Sequence, residues 1–410
     1  MLLKNKILQN FSSLTVVNLV NLLLPIITIP YLIKTLGATN YGLLAYHQYL
    51  GQFILVVLDF GFPLYAVSEV ARRAQEPIAL GGFVMDAYIV KLFVLLLVLI
   101  VVALVSVASK FFEWKSLSVW LLIAFSGVAI FNSFAPSWLF QGLDILQKTI
   151  LPTLIARSIA LVSTFLLIHS PEDIRWAPFP YLLGSVTLFC ILSWRASRHV
   201  RLSRIPERLG LQKIFTESLQ VFWSRLTIMG YVTVSPLLIN ATAGTEGVAV
   251  YNICEKVISV ARMPFDMFAA ATYAHFSRNY RSVLVRRFLV PLFGGGVLLA
   301  GTLSLVAPLV VMLVHVPGFQ NLHHYLALYG LALIPISMHG FIGTCVLLPN
   351  GKRIELAKSI AIGLLTYVLC LSLFWPWIEN KIGLAIAAMV TVEFGIFFSR
   401  LFFSIKYRLV

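Results

Sequence analysis

The sequence predicts an all-α integral membrane protein of about twelve transmembrane helices, set out as two six-helix lobes related by a pseudo-two-fold axis along the membrane normal. Three observations lead there. Sixty per cent of the 410 residues are apolar or aromatic and 11% are charged, against roughly half and roughly a quarter in soluble domains. A mean hydropathy of +0.92 leaves too little polar surface to cover a water-soluble globule of this size. The apolar residues fall in continuous runs of about 20, the helical length that crosses a hydrocarbon core about 30 Å thick, and not in the alternating ten-residue segments of a membrane barrel.

Taken in order, the first run, 11–33, is too long for a cleaved leader, carries Pro25 and Pro30, and leads into a Gly-rich turn instead of a small-residue cleavage site. A second run, 43–65, follows that turn. The third, 82–108, is an almost unbroken aliphatic stretch, and 117–140, 149–169 and 176–194 complete the first lobe, 1–200. A basic segment at 195–213 with Pro206 reads as the linker to the second lobe, 201–410. That lobe carries runs at 218–240, 247–274, 288–314, 325–348, 359–378 and 382–404.

The cations orient these runs. The formal charge is +15, from 31 Lys and Arg against 16 Asp and Glu. In a soluble protein that balance would suggest nucleic acid. Here the cations concentrate, about four to one, in alternate loops, among them Arg72, Arg73, Lys148, Arg198, Lys213, Arg286, Arg287, Lys352, Arg353, Arg400 and Lys406. The bias places those loops and both chain termini in the cytoplasm and is consistent with an even number of spans. Most of the net charge is therefore topology and contact with anionic lipid, and no nucleic acid is expected.

The second half restates part of the first. Residues 30–46 read PYLIKTLGATNYGLLAY and residues 236–251 read PLLINATAGTEGVAVY, so Gly42 and Tyr46 recur as Gly247 and Tyr251 half a chain length later. Six spans separate the copies, which gives both halves the same orientation, the arrangement of transporters whose lobes are related by an axis along the membrane normal.

Ionisable groups inside spans are costly and therefore candidates for function. Glu255, Ser259, Arg262 and Asp266 follow spacings of four, three and four, which stacks them on one helical face; Lys256 stands off that face, and Pro264 should bend the helix. Gln48, Gln52 and Asp59 form a similar stripe on the second span, with Asn18 and Asn21 on the first. Lys91, Arg157 and Arg225 lie about 12 Å in from a cytoplasmic helix end, and Glu393 lies nearer the midplane. Spans 7 and 8 are the counterparts of spans 1 and 2, so the stripes occupy equivalent helices and point to one shared aqueous cavity. The four cysteines sit in apolar runs without metal-ligand spacing and read as small hydrophobes. Neither a phosphate-binding Gly loop nor a nucleophile elbow is present. The predicted outer loops are too short for the catalytic acids of a membrane glycosyltransferase. Neither a metal nor a cofactor is expected.

Three of these segments resemble one family. PYLIKTLGATNYGLLAYHQYLGQFILVVLDFGF, APSWLFQGLDILQK and PLLINATAGTEGVAVYNICEKV are similar to signatures of Wzx-type O-antigen flippases, which transport lipid-linked oligosaccharides within the MOP (MATE-like) superfamily. The resemblance implies two six-helix lobes around a central cavity lined largely by spans 1, 2, 7 and 8. It implies a multi-pass protein of the bacterial inner membrane, not an enzyme. Such a protein moves undecaprenyl-pyrophosphate-linked oligosaccharide to the periplasmic leaflet by alternating access, in contact with membrane lipids and a polysaccharide polymerase or assembly complex. On this reading Arg225, Arg262, Lys256, Lys91 and Arg157, with Asn18, Asn21, Gln48 and Gln52, bind substrate, and Asp59, Glu255, Asp266 and Glu393 couple an ion. The alternative is an ion-coupled, MATE-like small-molecule exporter.

Overall fold

The computed structural model describes residues 2–112, 114, 116–200, 208–278, 280, 282–314 and 321–410; the side chains of Asn18 and Asn21, and residues 201–207 of the expected linker, lie outside the described set. Fourteen α-helices are present among these residues, and no strand. They are α1 (Leu2–Asp59), α2 (Phe62–Arg73), α3 (Pro77–Phe111), α4 (Val119–Phe134), α5 (Ser137–Gly142), α6 (Ile150–Leu167), α7 (Phe179–Ala196), α8 (Arg208–Ala261), α9 (Met263–Arg278), α10 (Ser282–Val314), α11 (Leu322–Gly330), α12 (Leu333–Phe341), α13 (Arg353–Phe374) and α14 (Lys381–Lys406).

Nine helices among the described residues are long and apolar enough to cross a membrane, which makes the chain an integral membrane protein. Each overlaps one of the expected windows. The windows 11–33, 218–240 and 247–274 are helical in α1, α8 and α9 but are not among those nine. Leu92, Phe93, Leu96, Leu97, Ile100 and Leu104 of α3 are exposed, as expected of side chains that face lipid.

The chain divides into two compact units. One comprises 1–28 and 43–229, the other 29–42 and 230–410. In the first, Phe62, Phe83, Trp138, Leu139 and Ile214 pack a core. The Trp138 ring meets Phe62 edge-on at 5.0 Å, so the tryptophan motif serves packing at the helix end. The second unit is centred on Phe276, Phe341, Ile342 and Val346.

Glycines break the long helices where the sequence repeats. α1 kinks at Gly37 (φ 78°, ψ 168°) and α8 at Gly244 (φ 70°, ψ −174°), a backbone region closed to residues with a Cβ. The two copies of the motif touch each other within the second unit. Thr39 donates to Glu246 at 2.7 Å, and Tyr41 to the Asn252 side-chain oxygen at 2.7 Å. Gly42 lies so tightly on Thr245 that a Cβ there would overlap the Thr245 carbonyl.

The second span ends earlier than expected. α1 stops at Asp59, and Phe60 (φ 46°) and Gly61 (φ 70°) turn the chain into α2. A Cβ on Gly61 would come within 2.5 Å of the Ser218 carbonyl oxygen and 2.6 Å of the Phe222 amide nitrogen. The tenth window is not one helix: α11 gives way to α12 at Leu331 and Ala332, and a π turn follows over Ile342–Leu347. Pro335 accounts for the first break, because its ring excludes a regular bond to the carbonyl four residues back. Pro264 acts similarly where the helix is interrupted at Arg262, between α8 and α9.

Gly42→Ala is expected to abolish folding, since backbone must move to admit the methyl group, whereas Gly301→Ala, which meets open space, should be neutral or raise stability by up to about 1 kcal/mol. Thermal unfolding of the two purified variants in detergent checks both outcomes.

Candidate functional site

Charged side chains inside the helices form two sets, one in each unit. In the first, Asp59 closes α1 at the left-handed turn. The Ser133 hydroxyl donates to Asp59 Oδ1 at 2.9 Å, and Lys91 Nζ stands 3.7 Å from the same oxygen. Lys91 also donates to the Ser133 carbonyl. Its ammonium lies 5.3 Å and 5.5 Å from the ring centres of Phe62 and Phe134. The side chain is 2% exposed, so the lysine predicted to contact substrate is enclosed by protein. A bare ammonium would be untenable there; carboxylate, carbonyl and two π faces together replace its water. Arg225 acts electrostatically on Asp59.

Gln48, Arg157 and Tyr181 form a second grouping in this unit. Gln48 hydrogen-bonds Tyr181, and Arg157 lies in the field of the same phenol. Gln52, one turn on from Gln48, is exposed. His47 is fully buried: Nδ1 donates to the Leu43 carbonyl at 2.8 Å and Nε2 accepts from the Ser118 amide at 3.0 Å. It thereby caps the neighbouring helix as a neutral ring.

The second unit holds the stripe expected on span 8. Arg262 Nε donates to Asp266 Oδ2 at 3.0 Å, with 36% and 50% of the two side chains exposed. Lys256 pairs with its neighbour Glu255 at 3.2 Å. Glu393 on α14 accepts from His339 Nε2 on α12 at 2.6 Å. Arg400, two turns further along α14, donates to His339 Nδ1 at 3.2 Å and to the His339 carbonyl at 2.7 Å, and its Nε donates to Ser359 Oγ at 3.1 Å. Arg262 acts on both Glu393 and Arg400.

Two of these residues were not expected as site residues. Arg400 belongs to the helix bundle, and its sequence assignment to a cytoplasmic loop is corrected by its bonds to His339 and Ser359. The seven-residue spacing from Glu393, which repeats one helical face, was the available signal. His339 carried no comparable sequence signal, because α12 is separated from its partner on α14 by some fifty residues.

The second unit also buries Ser235, Tyr251, Tyr329 and Tyr367. Ser235 Oγ and the Tyr367 hydroxyl lie 2.6 Å apart, and the Tyr251 and Tyr329 rings stack with their centres 6.3 Å apart. Tyr329 in turn acts on Glu255 and Glu393. Among the described residues no group of three or more His, Cys, Asp or Glu side chains could hold a metal ion.

The fold and these buried charges define a polytopic membrane protein with ionisable groups held inside its helices. The family model described as "Polysaccharide biosynthesis protein" matches residues 7–280, and the chain belongs to that family. It is 24% identical over 401 residues to an Escherichia coli (strain K12) protein named "Putative O-antigen transporter", with 93% of each chain covered. A protein of the same name from Shigella dysenteriae is 24% identical over 368 residues, covering 88% of this chain and 91% of that one. The fold resembles that of an inward-facing multidrug resistance MATE family transporter of the MOP superfamily. The TM-score is 0.69 at 16% identity, over 93% of this chain and 98% of that one.

Lys91→Met is expected to cost about 3–5 kcal/mol, because it leaves Asp59 buried without its ammonium. The double variant with Asp59→Asn should recover part of that loss. Thermal unfolding of the single and double variants in detergent reads both values.

Proposed function

We propose that this protein is a flippase for a lipid-linked oligosaccharide of the undecaprenyl-pyrophosphate type. In this reading it carries the sugar unit from the cytoplasmic to the periplasmic leaflet of a bacterial inner membrane and leaves it chemically unchanged. The observation that carries this reading is the family match over 7–280, supported by the similarity to the O-antigen transporters along nearly the whole chain.

The chemistry of the buried groups fits such a cargo. A lipid pyrophosphate cannot enter hydrocarbon with its water, and a guanidinium in a low-dielectric setting replaces that water through paired, charge-assisted bonds. Arg262 is suited to this task because it is fixed by Asp266 yet remains more than one-third exposed. Asp266 competes with the phosphate and keeps binding weak enough for release. Arg225 is the second cation proposed for the headgroup, with Lys256 and Arg157 as further contacts. Gln48, Gln52, Asn18 and Asn21 supply amides for sugar hydroxyls. Lys91 would serve the headgroup indirectly, by holding Asp59. Asp59, Glu255, Asp266 and Glu393 are the proposed ion-coupling carboxylates. The two lobes meet the bilayer with both termini cytoplasmic, and the polymerase or assembly complex is the proposed downstream partner.

The likeness to a multidrug MATE transporter favours a second reading, an ion-coupled exporter of organic cations. Uptake of an organic cation such as ethidium by proteoliposomes, unaffected by added lipid-linked oligosaccharide, would support that reading against the first.

In cells that depend on this chain for surface polysaccharide, Arg262→Ala and Arg225→Ala should each lower polysaccharide by about 10- to 100-fold, the equivalent of one or two lost charge-assisted bonds, at unchanged protein abundance. Wild-type polysaccharide in both variants would remove these residues from the headgroup site.

A further inference from the structure

His339 is placed between a carboxylate and a guanidinium, and its bonds define its protonation. Arginine can only donate, so Nδ1, 3.2 Å from Arg400 Nη1, is an acceptor. The ring proton therefore sits on Nε2 and points at Glu393 Oε2, 2.6 Å away. The imidazole is neutral in this arrangement. The two side chains are 7% and 12% exposed.

The charged and titratable groups around the ring can be named element by element. α14 contributes Glu393 and Arg400. The junction of α8 and α9 contributes Arg262, which acts on His339, Glu393 and Arg400. α9 contributes Asp266, whose Oδ1 faces Gly340 and whose carboxylate pairs with Arg262. Tyr231 of α8 and Tyr329 of α11 act on Glu393, and α13 supplies the uncharged Ser359. Two carboxylates thus balance two guanidinium groups, with the imidazole neutral. The unprotonated Nδ1 of the ring leaves the cluster room for one further proton.

From this geometry we infer that His339 and Glu393, gated by Arg400, form a one-proton binding site whose loading and unloading drive the conformational cycle of the second unit. The incoming proton binds Nδ1. No covalent bond breaks, and the proton leaves by the reverse step. An imidazolium presents a donor and a positive charge to Arg400 Nη1, so the guanidinium must withdraw from the ring. Its path lies over Gly343, where a Cβ would stand 2.7 Å from Nη1, in the first turn of the π segment that follows His339. π turns and intramembrane charge clusters both recur at functional sites. Tyr329 lies in the field of Glu393, and Arg262, which acts on Glu393, is 36% exposed and pairs with Asp266, 50% exposed, so the cluster reaches exposed surface.

A cation site for a metal is disfavoured by the same geometry. The pair supplies two ligands, among the described residues no third His, Cys, Asp or Glu joins them, and a guanidinium occupies the remaining side of the ring.

The use of this proton in transport rests on the flippase reading; its binding does not. Infrared difference spectra of the purified full-length protein between pH 4 and 9, with no transported molecule present, test the binding alone. The difference between wild type and His339→Gln should contain a one-proton transition with imidazole and carboxylate bands moving together, over the background of the other seven histidines. Glu393→Gln removes the anion that favours the imidazolium and should lower the midpoint by about one pH unit. Arg400→Gln removes the competing cation and should raise it by a similar amount. These opposite shifts test the site even where His339→Gln fails to fold. Identical spectra for wild type and His339→Gln, or midpoints unmoved in the other two variants, would overturn the proton site. In that event the flippase reading would stand on the polysaccharide measurements. Conversely, a preserved transition in a protein that moves no oligosaccharide would overturn the transport reading and leave the proton site in place.

Discussion

Hydrocarbon offers no water to a charged side chain, so each ion that the helices carry inward must be neutralised by another part of the protein. The structure meets this constraint in two different ways. In the first unit the solution is closed. Lys91 is surrounded by Asp59, the Ser133 carbonyl and two aromatic faces, and the turn at Phe60 and Gly61 holds Asp59 at a helix end where it can reach them. Nothing in that set faces solvent freely, and its role is to hold α1, α3 and α4 together.

In the second unit the solution is open. Arg262 and Asp266 neutralise each other while half-exposed, and Glu393, His339 and Arg400 form a balanced triad just behind them. Balance among partners that can be exchanged differs from balance among partners that are locked. A guanidinium with bonds to a carbonyl, a serine and an imidazole can lose one and keep two, whereas the Lys91 ammonium has no alternative position. That difference separates a locked set in the first unit from one in the second whose partners can be exchanged.

The helix breaks serve the same end. A long straight helix presents one register of side chains to the bundle; a kink at glycine or proline resets it. Gly37 and Gly244 adopt nearly the same backbone angles in the two copies of the repeat, and the copies then contact each other through Thr39–Glu246 and Tyr41–Asn252. A similarity visible as letters thus proves to be a shared turn. The interruption at Arg262 and the π turn after His339 free the backbone at the two places where charged side chains gather.

The membrane class, most of the span positions, the repeat and the Arg262–Asp266 pair were legible in the chain alone, because each depends on composition or on spacing within one helix, where 3.6 residues per turn determines which side chains are neighbours. The pairing of Asp59 with Lys91 and Ser133, and of Glu393 with His339, was not. Those contacts join helices separated by tens of residues, and ion pairs and hydrogen bonds act over about 3 Å, a distance that no periodicity along one helix specifies. Arg400 shows the division most clearly: its cationic charge and its register with Glu393 were written in the sequence, but only the packing of α12, α13 and α14 decided that it would meet a histidine inside the bundle instead of water at its edge.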